Sequence, residues 1–340
     1  MHKSFIPVKK YFLLILLIIP AFYAGAQDPH FTQYFASPAT LNPALTGFEN
    51  SDWKLTAIYR NQWWGGNISP YITSGISVEK SLAPVKEKNH QWGFGFSMLS
   101  DASNAGLLKN NYFNAGVAYQ MDLSGDGSQT LGFGASVAYA NRLLDASKFA
   151  FQDQFGSMGF QRAVPSADPV SLQNNHYWDL NAGVHYDKIG EKWGYGFGTA
   201  VFHSAGPSGG FYDNSSYRLA RRIVLHGNGS YQFNSGDQLV LSGISEWQGK
   251  NNILTIGAQY GIHIQSEIVE QLHVGLYERF RDALCPYVGL EAKNWLFGIS
   301  YDFVSSNVSS PYNAVQSLEF SFGWLLGEKN KAGNQRILHY

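Results

Sequence analysis

Residues 92–98 read WGFGFSM and residues 193–201 read WGYGFGTAV, so that large, mostly aromatic side chains alternate with Gly, Ser or Ala. Successive side chains of a β-strand point to opposite faces, and each segment therefore has one apolar face and one small or polar face. Fourteen segments with this alternation follow one another along the chain. A soluble β-sandwich and a transmembrane β-barrel both show such alternation, and other features must decide between them.

The start of the chain has the features of a secretory signal peptide. Three lysines precede an apolar run over residues 11–19, which is followed by Pro20 and by AGA at residues 24–26. Small residues at that spacing suit a cleavage site, and we expect the mature, exported chain to begin at Gln27. No later stretch reaches the roughly 18 consecutive apolar residues of a membrane helix, so the sequence predicts no helical anchor.

Composition favours the barrel over the sandwich. Aromatic residues make up 15% of the chain and charged residues only 14%, against about 25% charged residues in soluble domains. A surface that faces lipid explains this shortage of charge. The formal net charge of -1 and the lack of a long basic run give no support to a nucleic-acid partner. The single cysteine, Cys285, is interpreted as a small apolar residue in or beside a strand.

The pattern thus predicts an all-β fold, a transmembrane outer-membrane antiparallel β-barrel of about 14 strands. Most of the segments are close to the roughly 9 to 11 residues that a tilted strand needs to cross a bilayer. The strands are expected near residues 51–60, 71–80, 91–99, 111–121, 129–140, 176–187, 192–202, 220–232, 237–247, 251–263, 271–281, 284–292, 294–303 and 315–325.

The lengths of the connections predict the orientation. Even-numbered connections such as residues 123–128 and 187–192 are tight turns rich in Gly or Asp, whereas the odd-numbered ones include residues 141–175 and 203–219, the longest in the chain. Outer-membrane barrels have short periplasmic turns and longer outer loops. We therefore expect both termini in the periplasm and residues 141–175 outside the cell.

One strand gives a prediction of its two faces. Over residues 295–303, lipid should be faced by Trp295, Phe297, Ile299, Tyr301 and Phe303, and the lumen by Gly298, Ser300 and Asp302. The reason is that a charge such as Asp302 is tolerated only away from hydrocarbon. If the lumen is wet, Ser300→Arg should reduce the free energy of unfolding far less than Phe297→Arg does.

The chain divides into a signal peptide (1–26), an N-terminal plug or periplasmic segment (27–50), the barrel (51–325) and a periplasmic C-terminal tail (326–340). Residues 27–50 show little alternation. They nevertheless carry the apolar residues Phe31, Tyr34, Phe35, Leu41 and Leu45, and these are separated by Pro38, Pro43 and Gly47. Prolines and glycines restrict or redirect the backbone, which suits one defined path. Three interpretations stay open: a plug in the lumen, a segment packed under the periplasmic rim, or a short leader.

Three motifs near the start carry a family resemblance. Residues 28–47 read DPHFTQYFASPATLNPALTG and residues 59–64 read YRNQWW. The DPxFxQY, SPxxLNPAxxG and YRNQW elements resemble the PorP/SprF family of the Bacteroidetes type IX secretion system. The resemblance implies an outer-membrane accessory barrel that supports secretion or surface anchoring of a partner protein and, in some species, gliding motility.

The resemblance also implies partners and interaction residues. The partners would be periplasmic and outer-membrane subunits of the secretion machinery and a secreted cargo protein or adhesin, with outer-membrane lipids around the barrel. Trp63 and Trp64 suit an interfacial aromatic belt as well as they suit a partner site. The candidate interaction residues in the motifs are Asp28, Pro29, Phe31, Gln33, Tyr34, Asn42, Pro43, Gly47, Arg60, Asn61, Gln62 and Trp63.

Catalytic and metal-binding motifs are missing from the sequence. It contains no HExxH, paired-cysteine or GxSxG motif, and its histidines lack the spacing of metal ligands. We therefore expect a protein that is not an enzyme and needs no cofactor. An alternative function is an outer-membrane transport barrel for small solutes, with the N-terminal segment as its hatch.

Overall fold

A computed structural model describes most of the mature chain. The described residues are 28–48, 51–65, 69–82, 90–145, 148–161, 163–166, 173–211, 216–306, 309 and 314–327. The predicted signal peptide and nearly all of the predicted C-terminal tail lie outside them. Within the described residues, no helix is both long enough and apolar enough to cross a membrane.

Fourteen antiparallel strands form a closed barrel, as the alternation predicts. The barrel strands are β1 (Trp53–Trp64), β2 (Tyr71–Leu82), β3 (His90–Ser103), β4 (Leu108–Asp122), β5 (Gln129–Leu144), β8 (Gln173–Ile189), β9 (Trp193–Phe202), β10 (Arg222–Gln232), β11 (Gln238–Gln248), β12 (Asn251–His263), β13 (Val269–Arg279), β14 (Ala283–Ala292), β15 (Trp295–Val304) and β16 (Gln316–Leu326). Each predicted strand is confirmed. β5 and β8 extend beyond the predicted bounds because polar residues continue the backbone pairing, as in Arg142 opposite Asn175.

The chain closes the barrel by pairing its first strand with its last. β1 and β16 pair from Trp53 opposite Leu326 to Trp64 opposite Gln316, with a shift in register near the end. All other barrel neighbours follow the chain, and β5 pairs with β8 across an insertion. That insertion contains a small hairpin of β6 (Phe155–Gly156) and β7 (Gly159–Phe160).

The two faces of the barrel follow the predicted parity. In β3, Trp92, Phe94 and Phe96 point outward and are 46–47% exposed. In β15, Ile299 and Phe303 are exposed by 36% and 56%, whereas Ser300 and Asp302 are each 1% exposed. The predicted phase of residues 295–303 is confirmed.

The lumen at the level of Ser300 is filled with protein. The Ser300 hydroxyl accepts a hydrogen bond of 3.1 Å from the side-chain amide of Gln33, a residue that precedes the barrel. The expected small loss of stability in Ser300→Arg depended on a wet lumen. At this position protein fills the lumen instead, and an arginine there would have to displace Gln33.

The two ends of the barrel differ in their connections. The longest connections, residues 145–172 and 203–221, leave the same end, which we name the loop end. The other end, the turn end, has short turns such as residues 123–128. There the Asp122 carboxylate accepts backbone hydrogen bonds from Ser124, Gly125 and Gly127, and both glycines have positive φ angles, 83° and 80°. Asx-type bonding and glycine are typical of such turns.

Candidate functional site

Residues 28–48, which we name the luminal segment, lie inside the barrel and contain most of the candidate interaction residues. Hydrogen bonds join this segment to strands on different sides of the wall. The Gln33 amide donates to Ser300 Oγ of β15 at 3.1 Å, and the Asn42 amide donates to the Val184 carbonyl of β8, seven strands away around the barrel, at 3.0 Å. The segment therefore spans the lumen from wall to wall.

Local sequence signals set the path of the luminal segment. Its three short turns are a 3-10 turn at Tyr34–Ala36, one α-helical turn at Pro38–Leu41 and a 3-10 turn at Pro43–Leu45. Pro38 and Pro43 begin two of these turns, where a missing N–H costs little. The Asn42 side chain caps the last turn by accepting a hydrogen bond from Ala44 N at 2.9 Å. Gly47 has a φ of 61°, a conformation that favours glycine.

Aromatic packing accounts for the apolar residues of the luminal segment. Phe35 stacks on Tyr277 of β13 at a centroid distance of 5.8 Å and meets Tyr287 of β14 edge to face at 5.4 Å. Burial of such a side chain contributes about 1.5–3 kcal/mol before the entropy of ordering is subtracted. The large buried apolar side chains of the segment are Phe31, Tyr34, Phe35, Leu41, Leu45 and Phe48.

Four buried charged residues, which we name the charge cluster, lie beside the segment. They are Arg60 of β1, Arg279 of β13, Asp302 of β15 and Glu319 of β16, each at most 2% exposed. Asp302 Oδ2 lies 2.9 Å from Arg60 Nη2 and 2.7 Å from Arg279 Nη2. Two cations and two carboxylates thus share one dry site, where each charge would be costly without its partners.

The luminal segment completes the hydrogen bonding of the charge cluster. The Glu319 carboxylate accepts the backbone N–H groups of Thr32 at 3.0 Å and Gln33 at 2.6 Å, and Arg60 donates to the His30 carbonyl. Hydrogen bonds to a charged group are among the stronger ones in proteins. The DPxFxQY and YRNQW motifs therefore meet here, since the arginine of one binds the backbone of the other.

Glycines of the barrel wall make room for the second half of the segment. A Cβ on Gly134 of β5 would lie 2.3 Å from Ala44 N and from the Pro43 carbonyl. On Gly183 of β8 it would lie 1.9 Å from Asn42 Oδ1. Any larger residue at these two positions would overlap the LNPA motif. The glycines that face the lumen thus form a groove, which we name the glycine groove, and it fits the luminal segment closely.

A second group of charges holds the start of the segment. Asp28 Oδ2 lies 2.7 Å from His203 Nε2 and 3.2 Å from Arg222 Nε, and Asp179 Oδ2 lies 2.7 Å from His203 Nδ1. Arg222 also pairs with Glu246 at 2.8 Å. Burial alone would lower the pKa of His203, but the Asp28 and Asp179 carboxylates outweigh it and raise the pKa to about 9. Burial would likewise raise the pKa of Asp28, yet its cationic neighbours hold that pKa below the ordinary value.

The luminal segment runs from the loop end to the turn end. At the loop end, Asp28 N donates to the side chain of Gln248, the last residue of β11, at 2.9 Å. At the turn end, Gly47 N donates to Glu79 of β2 at 2.8 Å, and Gln91 of β3 donates to the Gly47 carbonyl at 3.0 Å. The first described residue thus lies at the end opposite to the short turns. The expectation that both termini lie on the side of the short turns is therefore wrong for the described start of the chain, because the luminal segment crosses the barrel before β1 begins.

The structure brings some candidate residues together and leaves others apart. Asp28, Pro29, Phe31, Gln33, Tyr34, Asn42, Pro43, Gly47 and Arg60 lie in the lumen or line it. Asn61, Gln62 and Trp63 are only partly buried, at the loop end of β1. Trp63 has a φ of 63° and packs edge to face on Tyr71 at 5.1 Å. These three residues belong to the rim and not to the contacts of the luminal segment.

Sequence reasoning missed several residues that hold the segment. The residues are His203, Arg222, Arg279 and Glu319, together with the glycines of the groove, whereas Asp302 was predicted to face the lumen but not to bind the segment. A usable signal existed, since charges on the lumen parity of otherwise apolar strands call for buried partners. His203 follows a strand and fits no pattern, so nothing in the sequence indicated it.

Comparison with protein families identifies the chain. The model of the family described as "Type IX secretion system membrane protein PorP/SprF" matches residues 24–324. The chain belongs to the PorP/SprF family. The match covers the luminal segment and nearly all of the barrel, so the family assignment includes the motifs that meet in the lumen. No curated protein is similar enough to this PorP/SprF protein to count as a relative.

Solved structures that resemble this PorP/SprF protein are outer-membrane barrels. The TodX deltaS2S3 mutant monoaromatic hydrocarbon channel is 10% identical, with a TM-score of 0.51 over 86% of this chain and 94% of that chain. The Ralstonia pickettii toluene transporter TbuX is 11% identical, with a TM-score of 0.47 over 86% and 94%. A Pseudomonas aeruginosa FadL homologue is 12% identical, with a TM-score of 0.45 over 85% and 93%. At such low identity, the likeness to the TodX mutant shows a shared fold and nothing about ligands.

Proposed function

We propose that this PorP/SprF protein is a non-enzymatic outer-membrane accessory component of the type IX secretion system. In this proposal it supports the secretion or surface anchoring of one partner protein, an adhesin or an enzyme. It contacts periplasmic and outer-membrane subunits of the machinery and contributes to gliding in species that glide. The proposal includes removal of the signal peptide before Gln27 and a lipid belt around the outward aromatic residues.

The observation that carries this proposal is the occupied lumen. The luminal segment crosses the barrel from Asp28 to Phe48 and is held by the charge cluster, the glycine groove and aromatic packing. A barrel filled in this way suits a fixed docking component better than an open conduit. The luminal segment is then a structural element that fixes the inner wall and the positions of both barrel ends.

The loop end supports a role in recognising the partner. Phe155 and Met158, in and beside the β6–β7 hairpin, are 59% and 89% exposed. Exposed apolar side chains at the end of a barrel are candidates for protein contact. We propose that residues 145–172, with Asn61, Gln62 and Trp63 at the rim, bind the secreted partner on the cell surface. The other motif residues position the luminal segment.

Affinity purification from the native outer membrane tests the proposal. Full-length protein with a C-terminal tag should co-purify with secretion-machinery subunits, identified by mass spectrometry. A variant without residues 155–160 is expected to lose the cargo protein and to keep the machinery subunits, while its barrel stays heat-modifiable on gels. Purification of the intact protein without any secretion subunit would contradict the accessory function.

A second candidate function is a transport barrel for small solutes with the luminal segment as its hatch. It is favoured by one observation, a cavity that remains beside the segment in the loop-end half of the lumen. Conductance or solute flux through the purified protein in liposomes would support this function. If flux is absent and secretion subunits co-purify, the accessory function stands and the transporter is excluded.

A further inference from the structure

The loop-end cavity is a space that the proposed function does not use. It has about 600 Å³ of unfilled space, counting the part open to solvent. One side is the luminal segment at Ala39 and Thr40, and the opposite side is the wall of β3, β4, β5 and β8. The cavity therefore lies between the luminal segment and the barrel wall, and a cleft between two such surfaces is typical of ligand sites.

Most of the cavity wall is apolar. Its apolar and aromatic lining comes from Leu99, Tyr112, Ala138, Ala140, Tyr177 and Phe202. A wall of this kind favours the burial of the apolar part of a ligand. The two alanines keep the space open, because large side chains at the same positions would fill it.

Two buried polar groups in the cavity wall are available to bind the polar part of a ligand. Asp179 is 3% exposed, and its Oδ1 accepts no hydrogen bond from any described residue, although its Oδ2 binds His203. Asn114, which also lines the cavity, has a buried Oδ1 without a donor among the described residues. An acceptor buried without a donor costs free energy. A ligand with a hydrogen-bond donor would remove that cost.

The cations near the cavity are already paired. His203 lies between Asp28 and Asp179, and Arg222 lies between Asp28 and Glu246. An anion would therefore have to compete with these carboxylates, whereas Asp179 Oδ1 and Asn114 Oδ1 are free to accept hydrogen bonds from an ammonium group. The charge arrangement selects a donor, and preferably a cationic donor.

We propose that the loop-end cavity binds a small molecule with an apolar body and a hydrogen-bond-donating head, an organic amine being the preferred class. The apolar body lies between Ala39 and the Ala138 side of the wall, and the head lies towards Asp179 and Asn114. This site is separate from the partner-binding loops of the proposed function and does not depend on transport through the barrel.

Isothermal titration of the purified full-length protein with three matched probes tests the site. Benzylamine, benzyl alcohol and benzoate share a ring and differ in the head group. We expect benzylamine to bind about tenfold or more tightly than benzoate, with benzyl alcohol between them. Asp179→Asn should reduce the affinity for benzylamine by about tenfold and leave that for benzyl alcohol nearly unchanged.

A cavity-filling variant and its control keep the test independent of the charged residues. Ala138→Trp fills the cavity, whereas Ala135→Trp places the same side chain on the lipid face of β5. Both variants add the same side chain to β5, so only loss of saturable binding in Ala138→Trp and not in Ala135→Trp supports the site. Equal binding by these two variants, equal affinity for benzoate and benzylamine, or no saturable binding of any probe would overturn it.

Discussion

Replacement of Gly134 by alanine should displace the luminal segment. The new Cβ would lie 2.3 Å from Ala44 N and from the Pro43 carbonyl, whereas ordinary contacts begin at 3.4 Å, so that the segment must move by about 1 Å. Overpacking of this kind costs about 1–3 kcal/mol. Movement of Ala44 also breaks the 2.6 Å hydrogen bond from Gln120 Nε2 to the Ala44 carbonyl. A buried group left without its partner adds about 1–3 kcal/mol.

Gly323→Ala is the matched control. Gly323 also has the lumen parity, but its Cβ would meet Leu296 Cβ at 3.7 Å, an ordinary contact. This variant should be neutral or gain up to about 1 kcal/mol, because alanine restricts the unfolded chain.

Hydrogen exchange measured by mass spectrometry on peptides from residues 28–48 provides the assay. Exchange should be faster in Gly134→Ala than in the wild type and unchanged in Gly323→Ala, with both barrels still heat-modifiable on gels. Secretion of the partner protein should fall in the first variant alone. Wild-type protection of the segment in Gly134→Ala would refute the argument that the glycine groove holds it.

Three further outcomes are expected. Phe297→Arg should reduce the free energy of unfolding by roughly 2–4 kcal/mol near the bilayer midplane. Ser300→Arg should reduce it by at least as much, because the arginine displaces Gln33. A much smaller reduction for Ser300→Arg, measured by urea unfolding from vesicles, would argue against a filled lumen. A tag inserted near Ser166 should be reached by protease on intact cells, and cleavage only after permeabilisation would reverse the assigned orientation. The His203 pKa is raised from an ordinary value near 6.5 to about 9, so its pairing with Asp28 stabilises the fold fully below about pH 6.5 and is lost as the pH rises through about 9. The rate of amide hydrogen exchange in residues 28–32, corrected for its intrinsic pH dependence, should therefore rise between about pH 6.5 and about pH 9 in the wild type and not in His203→Gln.

The sequence by itself determined the strands and their faces. Alternation is local, because a strand side chain points to the face that its parity gives, whatever lies across the barrel. All fourteen strands and the faces of residues 295–303 were therefore predictable. The shortage of charge favoured a membrane barrel over a sandwich, and the alternation of loop lengths predicted its orientation, without any knowledge of contacts.

Only the tertiary structure decided what the lumen holds. Thr32 bonds to Asp302 and Glu319 across 270 and 287 residues, and Asp28 meets His203 across 175. Closure of the barrel, with its strand tilt and register, determines which inward side chains share a level, and no local pattern encodes that. The same holds for the luminal glycines. In the sequence they are only small residues within strands, and the folded structure alone shows that Gly134 lies against the backbone of Pro43 and Ala44.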